Sequence, residues 1–466
     1  MAKSIIIIGC GPGGYATAEY AAQTGLKVTI FEKGEAGGTC LNRGCIPTKV
    51  YCHAATLALD DAKAAAWGLW QGSVARAIDF AKLHEHKEAV VAQLRQGVET
   101  LMARPGIELV RGEARLKDSC TVSCNGTDYT ADNIIIATGS HPVMPRVEGI
   151  DNPHVVSSTG LLALAELPRR LVIIGAGVIG MEMASAFSAF GSEVTVVEFL
   201  KECLPMADTD LAKRLRKSLE KRGVRFYLQA VAKAIGDKTS TSADGNVPPS
   251  GNGVTVMFTQ KGKDITVEGD IVLAATGRGP NTDGLGLDEL GIDHDRHGIK
   301  VDDDFETSLK GVYAIGDVNG RLQLAHAAEA QGRKVIDTIM GRESRLDTAL
   351  VPWAVFTTPE LAGTGPTEDA VKASLGEGST ATRADDARPR VTKTFYRSNG
   401  KAVTMDATDG LVKVIAAPDG RLIACHALGA HAADLVQEVN ALISVGATMD
   451  DLRSIIHIHP TLQELL

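Results

Sequence analysis

The 466-residue chain is short of cysteine, has no surplus of positive charge and contains no unbroken apolar run; each shortage excludes a class of protein. Eight cysteines at uneven spacings are too few for the disulfide framework of a secreted domain. The expected setting is cytoplasmic, where a disulfide is more often catalytic than structural. Lysine and arginine number 48 against 57 acidic residues, a net charge of −9. That balance lacks the basic face that nucleic acid phosphates require. An acidic membrane surface is an equally poor partner. The most apolar stretch, Leu171 to Ala189, is interrupted by Gly175, Gly177, Gly180 and Glu182, so it does not read as a membrane span. An apolar strand begins at Ser4, so close to Met1 that no secretory or transit segment is expected.

What is present is ordinary for a globular protein: 44% hydrophobic and 23% charged residues, with 49 glycines for turns and close backbone approaches. The length suggests about three to four domains. An internal repeat organises them. Ile7-Ile8-Gly9-Cys10-Gly11-Pro12-Gly13-Gly14 recurs as Ile173-Ile174-Gly175-Ala176-Gly177-Val178-Ile179-Gly180. Each copy follows an apolar run, opens an alanine-rich helical pattern and leads to a second strand ending in an acid, Glu32 or Glu198. The interval from Gly9 to Glu32 equals that from Gly175 to Glu198.

The spacing has a physical reading. The first glycine of each loop (Gly9, Gly175) makes the tight turn, the second (Gly11, Gly177) lets the backbone approach a pyrophosphate, and the third (Gly14, Gly180) lets helix and strand pack closely. The helix N-terminus offers N–H groups and partial positive charge to phosphate. Glu32 and Glu198 can accept ribose hydroxyls. Glu198 stands where the 2′-phosphate of NADP would sit, and Lys201 is the only cation between Val194 and Ala212, so NAD is expected over NADP. Two dinucleotides in one chain imply electron transfer, commonly between a flavin and a nicotinamide. The strands ending at Gly139 and Gly277 fit turns beside the two pockets. Asp317 ends a third strand and reads either as a ribityl-hydroxyl acceptor or as a turn cap.

Residues 76–103 read as an amphipathic helix and residues 107–136 as short antiparallel strands around Asn125-Gly126. A similar strand-rich stretch covers 224–273, broken by a Gly/Pro/Ser-rich loop at 245–253, and 311–340 reads as strand, turn and helix. Beyond 346, strand-like runs over 391–396, 410–415 and 422–427 precede a helix over 433–444, as in a separate α+β domain. Cys120 and Cys124 are placed on one strand face without a histidine, so no metal site is expected, and His84, His86, His294 and His297 read as solvated.

Cys40 and Cys45 sit in Gly37-Gly38-Thr39-Cys40-Leu41-Asn42-Arg43-Gly44-Cys45-Ile46-Pro47-Thr48-Lys49. Five residues of regular helix rise about 7.5 Å, beyond the usual Cα separation of a disulfide, so a bridge needs a distorted first turn. Two buried free cysteines are the alternative. Near the C-terminus, Pro460 suits a first helical position, which leaves His459 at the cap, with Glu464 able to orient its imidazole as a base.

The segment from Gly37 to Lys49 resembles the redox-disulfide signature of the pyridine nucleotide–disulfide oxidoreductases. The likeness extends to Thr276–Thr282, Gly316-Asp317 and the tail His457–Glu464, nearly the whole chain. It implies an α/β fold with two Rossmann-like dinucleotide-binding domains and a C-terminal α+β dimerisation domain. The implied division is 1–150 for the first part of the FAD-binding domain, 151–275 for the NAD-binding domain, 276–345 for the central part and 346–466 for the interface domain. Cys40 would exchange with substrate and Cys45 would lie against the flavin. Lys49 would reach the flavin and pair with Glu182, and Gly112 and Ala325 would join the cofactor-binding set. His459 and Glu464 would serve the disulfide of the other subunit of a homodimer. Within the family the chain most resembles members that oxidise protein-bound dihydrolipoyl groups with NAD. The implied partner is the lipoyl-bearing transacylase of a 2-oxoacid dehydrogenase complex, or the lipoyl protein of glycine cleavage, with the lipoyl group arriving in trans. Members with a C-terminal cysteine pair are not expected, since the last cysteine is Cys425. Arg43 departs from the apolar residue that many relatives carry there.

Overall fold

The computed structural model describes residues 3–69, 77–237, 253–374 and 388–466. The first unit opens with β1 (Ser4–Ile8), α1 (Pro12–Gln23) and β2 (Lys27–Glu32). Next come α2 (Gly38–Arg43), α3 (Cys45–Ala66) and α4 (Phe80–Met102), the last capped by the Asp79 carboxylate accepting from the Lys82 amide. Of the stretch read as antiparallel, only β4 (Ala114–Leu116), β5 (Thr121–Cys124) and β6 (Thr127–Thr130) are so. β3 (Ile107–Arg111) and β7 (Asn133–Ile136) are parallel strands beside β2 and β1. The apolar run of β7 belongs there: Ile134, Ile135 and Ile136 are fully buried, as suits a strand covered on both faces.

The second unit repeats the plan. After β8 (Ser140–Pro142), β9 (Val155–Val156) and α5 (Ser158–Leu162) come β10 (Arg170–Ile174), α6 (Val178–Phe190), β11 (Glu193–Val197), α7 (Thr209–Lys221) and β12 (Arg225–Tyr227). An antiparallel layer, β13 (Ala230–Asp237), β14 (Val254–Gln260) and β15 (Lys263–Gly269), precedes β16 (Ile271–Ala274). Of the loop expected at 245–253, only Gly253 falls within the described residues. The chain then returns through β17 (Arg278–Pro280), β18 (His294–Asp295) and β19 (Gly298–Ile299) to β20 (Val312–Ala314) and α8 (Ala325–Ile339). β20 pairs with β7, so the first sheet reads β20-β7-β1-β2-β3 and the second β9-β16-β10-β11-β12. Both are wholly parallel, and the two central strands, β1 and β10, feed the two glycine loops.

The C-terminal layer has β21 (Trp353–Val355), β22 (Glu360–Thr364), α9 (Glu368–Ser374), β23 (Arg390–Phe395), α10 (Gly400–Thr404), β24 (Leu411–Ala416), β25 (Leu422–Gly429), α11 (Ala432–Ser444) and α12 (Met449–Ser454). Its antiparallel sheet is ordered β21-β22-β25-β24-β23. Leu435, Val436 and Val439 of α11 pack on Val412, Val414 and Ala427. The fold is thus α/β with an α+β C-terminal part. No described helix is long and apolar enough to cross a membrane.

Candidate active site

Gly9 adopts φ +108°, and a methyl group there would collide with the backbone of Ala137 on the neighbouring strand. Only glycine therefore lets β1 turn into α1 at this point. Gly11 and Gly177 cap α1 and α6, and neither helix has a side-chain cap bond, so the first-turn amides are left for an anion. Glu32 holds the first loop: one oxygen accepts from the Cys10 amide at 2.8 Å and the other from Gly34 at 2.7 Å. Glu198 repeats this with Ala176 at 2.5 Å and Leu200 at 2.7 Å. Burial pushes the Cys10 thiol up to about 12, so it stays neutral beside the loop.

The distortion needed between Cys40 and Cys45 is a complete break. Gly44 separates α2 from α3 at φ −140°, ψ −108°, and a methyl group on it would press on Thr39 O at 2.9 Å and Cys40 Cα at 3.2 Å. The break brings the two Cα atoms to 4.6 Å, and the cysteines are disulfide-bonded. Cys45 becomes the first residue of α3, where the helix N-terminus favours a thiolate. One turn on, Lys49 Nζ lies 2.9 and 3.0 Å from the two oxygens of Glu182, on α6 of the second unit. Glu182 is nearly inaccessible and also accepts from the Phe356 amide at 2.8 Å. Lys49 stands over the Phe356 ring at 4.7 Å. This junction joins three parts of the molecule. Its Phe356 contribution gives no local sign in the sequence, because it is one backbone amide 174 residues away.

A cavity of about 1080 Å³ contains these groups, above the roughly 300–1,000 Å³ of single small-ligand sites. Gly9, Gly11, Glu32, Cys40, Cys45, Lys49, Gly139, Asp317 and Ala325 line one part; Gly175, Gly177, Glu182, Glu198 and Gly277 line the other. Gly14 and Gly180 lie outside it, packed against the carbonyls of Gly9 and Gly175. Gly112 also lies outside; its amide donates to the Glu32 carbonyl at 3.0 Å. Two uncapped helix starts, two glutamates beside them and one continuous space that includes the disulfide fit two dinucleotides.

Asp317 lies in the 3-10 turn Gly316–Asn319, bonded to the Ser140 hydroxyl. Burial raises its carboxyl above the usual range, against the opposing Ser140 bond and Arg278 charge. Arg278, whose Nε donates to Ser140 at 2.7 Å, completes that cluster and carried no role in the sequence reading. Cys120 precedes β5 and is exposed whereas Cys124 is buried, so the two do not share a strand face. His84 and His294 are partly buried rather than solvated; His294 Nδ1 lies 2.9 Å from Ile292 O.

The tail differs from the proline-led helix expected there. His459-Pro460 is a cis peptide, and the last helix is a 3-10 turn, Leu462–Leu465, capped by Thr461. A Thr461–Glu464 capping box puts the cap one residue past proline, so that the helix starts at Leu462. Glu464 thereby serves twice: Oε2 accepts from the Thr461 amide at 3.2 Å and Oε1 lies 2.8 Å from His459 Nδ1. The bond to His459 and that amide hold the Glu464 carboxyl below its ordinary value. The His459 side chain is 78% exposed and does not line the cavity.

Residues 3–332 match the family model described as pyridine nucleotide-disulphide oxidoreductase, and residues 351–466 match that family's dimerisation domain. The chain belongs to the pyridine nucleotide-disulphide oxidoreductases. It is 38% identical over 467 residues to dihydrolipoyl dehydrogenase of Staphylococcus aureus, covering 99% of this chain and 94% of that one. It is equally identical, over 474 residues, to leghemoglobin reductase of Glycine max, covering 99% and 86%. Among solved structures it is similar to the HOCl-induced flavoprotein disulfide reductase RclA of Escherichia coli, at 30% identity and TM-score 0.83, with 99% and 98% covered. The family's two-part layout, nucleotide-binding region followed by dimerisation domain, is the layout of this oxidoreductase.

Proposed function

We propose that the protein is an FAD-containing dihydrolipoyl dehydrogenase that oxidises protein-bound dihydrolipoyl groups and reduces NAD⁺. The observation that carries this reading is the Cys40–Cys45 disulfide set between two glycine loops in one cavity, with Lys49 and Glu182 bridging the units behind it. The proposed division of labour follows residues 1–150, 151–275, 276–345 and 346–466. The working unit is a homodimer in which His459 and Glu464 of one subunit serve the disulfide of the other. The exposure of His459, with Ile456 and Ile458 exposed beside it, supports that arrangement. The reaction takes place in the cytoplasm, and the partner is a lipoyl-bearing transacylase or the glycine-cleavage lipoyl protein.

The protein's own groups perform the thiol chemistry. With Nδ1–H directed to Glu464, His459 has Nε2 available to take the proton of a dihydrolipoyl thiol. The thiolate attacks Cys40 Sγ; the Cys40–Cys45 bond breaks and Cys45 leaves as a thiolate, stabilised by the α3 N-terminus. The second lipoyl thiol, once deprotonated, attacks the lipoyl sulfur of the mixed disulfide and expels the Cys40 thiolate. Lipoyl is then oxidised and the cysteine pair reduced. Gly9, Gly11, Glu32 and Asp317 would hold FAD, which when bound would supply the two-electron chemistry linking the reduced cysteine pair to NAD⁺. Glu198 opposes a 2′-phosphate and so selects NAD.

Changing either Cys40 or Cys45 to serine tests the reading. Dihydrolipoamide-dependent NADH formation should fall by about 10³-fold or more while the bound flavin keeps the protein yellow. Full activity in either variant sinks it, as does faster wild-type reduction of glutathione or thioredoxin than oxidation of dihydrolipoamide.

A further inference from the structure

Four cations line the cavity among the described residues: Lys33, Arg43, Lys49 and Arg278. Three are committed. Lys33 pairs with Glu113 at 3.1 Å, Lys49 with Glu182, and Arg278 with Ser140 and, at 3.9 Å, Asp317. Arg43 alone has no carboxylate partner among the described residues, although acids stand close by. Glu32 is occupied by the Cys10 and Gly34 amides, and Glu35 by Arg95.

The direction of Arg43 is settled by Gly34. A methyl group on Gly34 would lie 3.4 Å from Glu32 Oε1 and 3.9 Å from Arg43 Nη2, so the guanidinium and the Glu32 carboxylate flank the same residue. α2, which ends in Arg43, begins against the first glycine loop: a methyl group on Gly11 would lie 3.9 Å from Gly38 Cα. Arg43 therefore borders the space between Glu32 and the α1 N-terminus. In a dinucleotide held by that loop, this space takes the adenosine ribose and the pyrophosphate.

Resting on the FAD assignment above, we propose that Arg43 is a binding residue for the ribose–pyrophosphate half of FAD, supplying counter-charge from the one cavity cation that has no carboxylate partner among the described residues. It is not a tuner of the thiols that flank it in sequence. Guanidinium suits this role because its charge is permanent and its planar donors match phosphate oxygens. Such binding also explains how an exposed arginine can stand unpaired in a cavity bordered by acids.

The test compares wild-type holoprotein with Arg43→Gln and Arg43→Lys, following FAD release on dilution by flavin fluorescence at low and high chloride. Alongside it, the pH dependence of iodoacetamide reaction at Cys40 is measured after reduction. Arg43→Gln should release FAD about tenfold faster at low salt, and chloride should narrow the gap by screening. Arg43→Lys should release FAD at a rate between wild type and Arg43→Gln, since it retains the charge but loses the planar donors. The Cys40 alkylation profile should not move. Unchanged FAD release in Arg43→Gln overturns the proposal, and so does a shifted alkylation profile with FAD release unaltered. Failure of the wild-type protein to make NADH from dihydrolipoamide would instead remove the substrate assignment and leave the release comparison standing.

Discussion

The two β-α-β units share a skeleton and differ at the rim. Each turns a buried strand into an uncapped helix through three glycines, and each fastens its loop with a glutamate that accepts two backbone amides. Around the first, the cavity is edged by Lys33, Arg43 and the disulfide; around the second, by Phe199, Leu200, Met206 and Val231, all exposed apolar side chains. The same backbone device thus stands behind two rims of different chemistry. A charged rim beside the redox pair suits a resident cofactor, and an open apolar rim suits one that enters and leaves each cycle.

The most forceful way to separate the units is to spoil one loop at a time. A methyl group at Gly14 would overlap the Gly9 carbonyl, and one at Gly180 the Gly175 carbonyl. Forcing either should cost about 3 kcal/mol or more in the affinity of its own dinucleotide. Gly14→Ala should come off a column without flavin absorbance, whereas Gly180→Ala should stay yellow, be reduced by dihydrolipoamide and make little NADH. Loss of colour in both would show that the units are not independent.

A second prediction concerns the buried ion cluster that anchors the second unit to the C-terminal sheet. α7 of the second unit meets the C-terminal sheet at Lys413, which is 1% exposed and lies 2.6 Å from Asp210, 2.8 Å from Glu368 and 3.4 Å from Asp208. Burial works against the Glu368 charge, yet Lys372, Lys393 and Lys413 together hold its carboxyl well below the ordinary range. A carboxyl depressed by folding stabilises fully above its unfolded value, near 4.3, and the stabilisation is lost as pH falls below it. Hydrogen exchange at acid pH should therefore quicken in α7 and β24 before α1. Glu368→Gln should bring about 3 kcal/mol of that loss to neutral pH. Equal protection of α7 and α1 throughout acidification would dispose of the contrast.

The smallest effect is in nucleotide choice. Glu198→Ser removes the charge that opposes a 2′-phosphate and should raise the NADPH-to-NADH rate ratio about tenfold, near 1.4 kcal/mol. Glu32→Ser should leave that ratio alone, because FAD, proposed for the first unit, has no such phosphate. A ratio moved by both would mean that the assignment of cofactors to units is wrong.

Much of this was legible before folding was considered. The glycine loops, Glu32 and Glu198 are local patterns, and Cys40, Cys45, Lys49, His459 and Glu464 sit in short signatures. Other features were not. β3 and β7 resemble antiparallel neighbours because strand direction depends on a partner far along the chain. β21 was too short, and β22 too short and interrupted by Gly363, to stand out. Pro460 suggested a helix start that the Thr461–Glu464 capping box displaced. Arg278 and the Phe356 amide became part of the site only through long-range pairing.

Steric and hydrogen-bonding demands within a few residues made the loops, the Gly44 break and the helix starts a matter of residue order, since a methyl group in the wrong place meets backbone that cannot yield. Which parallel strands lie side by side, and therefore that Glu182 comes to Lys49 and two glycine loops open onto one disulfide, was settled by the burial of sheets and helices from distant stretches. Apolar burial has no preferred direction and names no partner, so that part of the architecture exists only once the whole chain has packed.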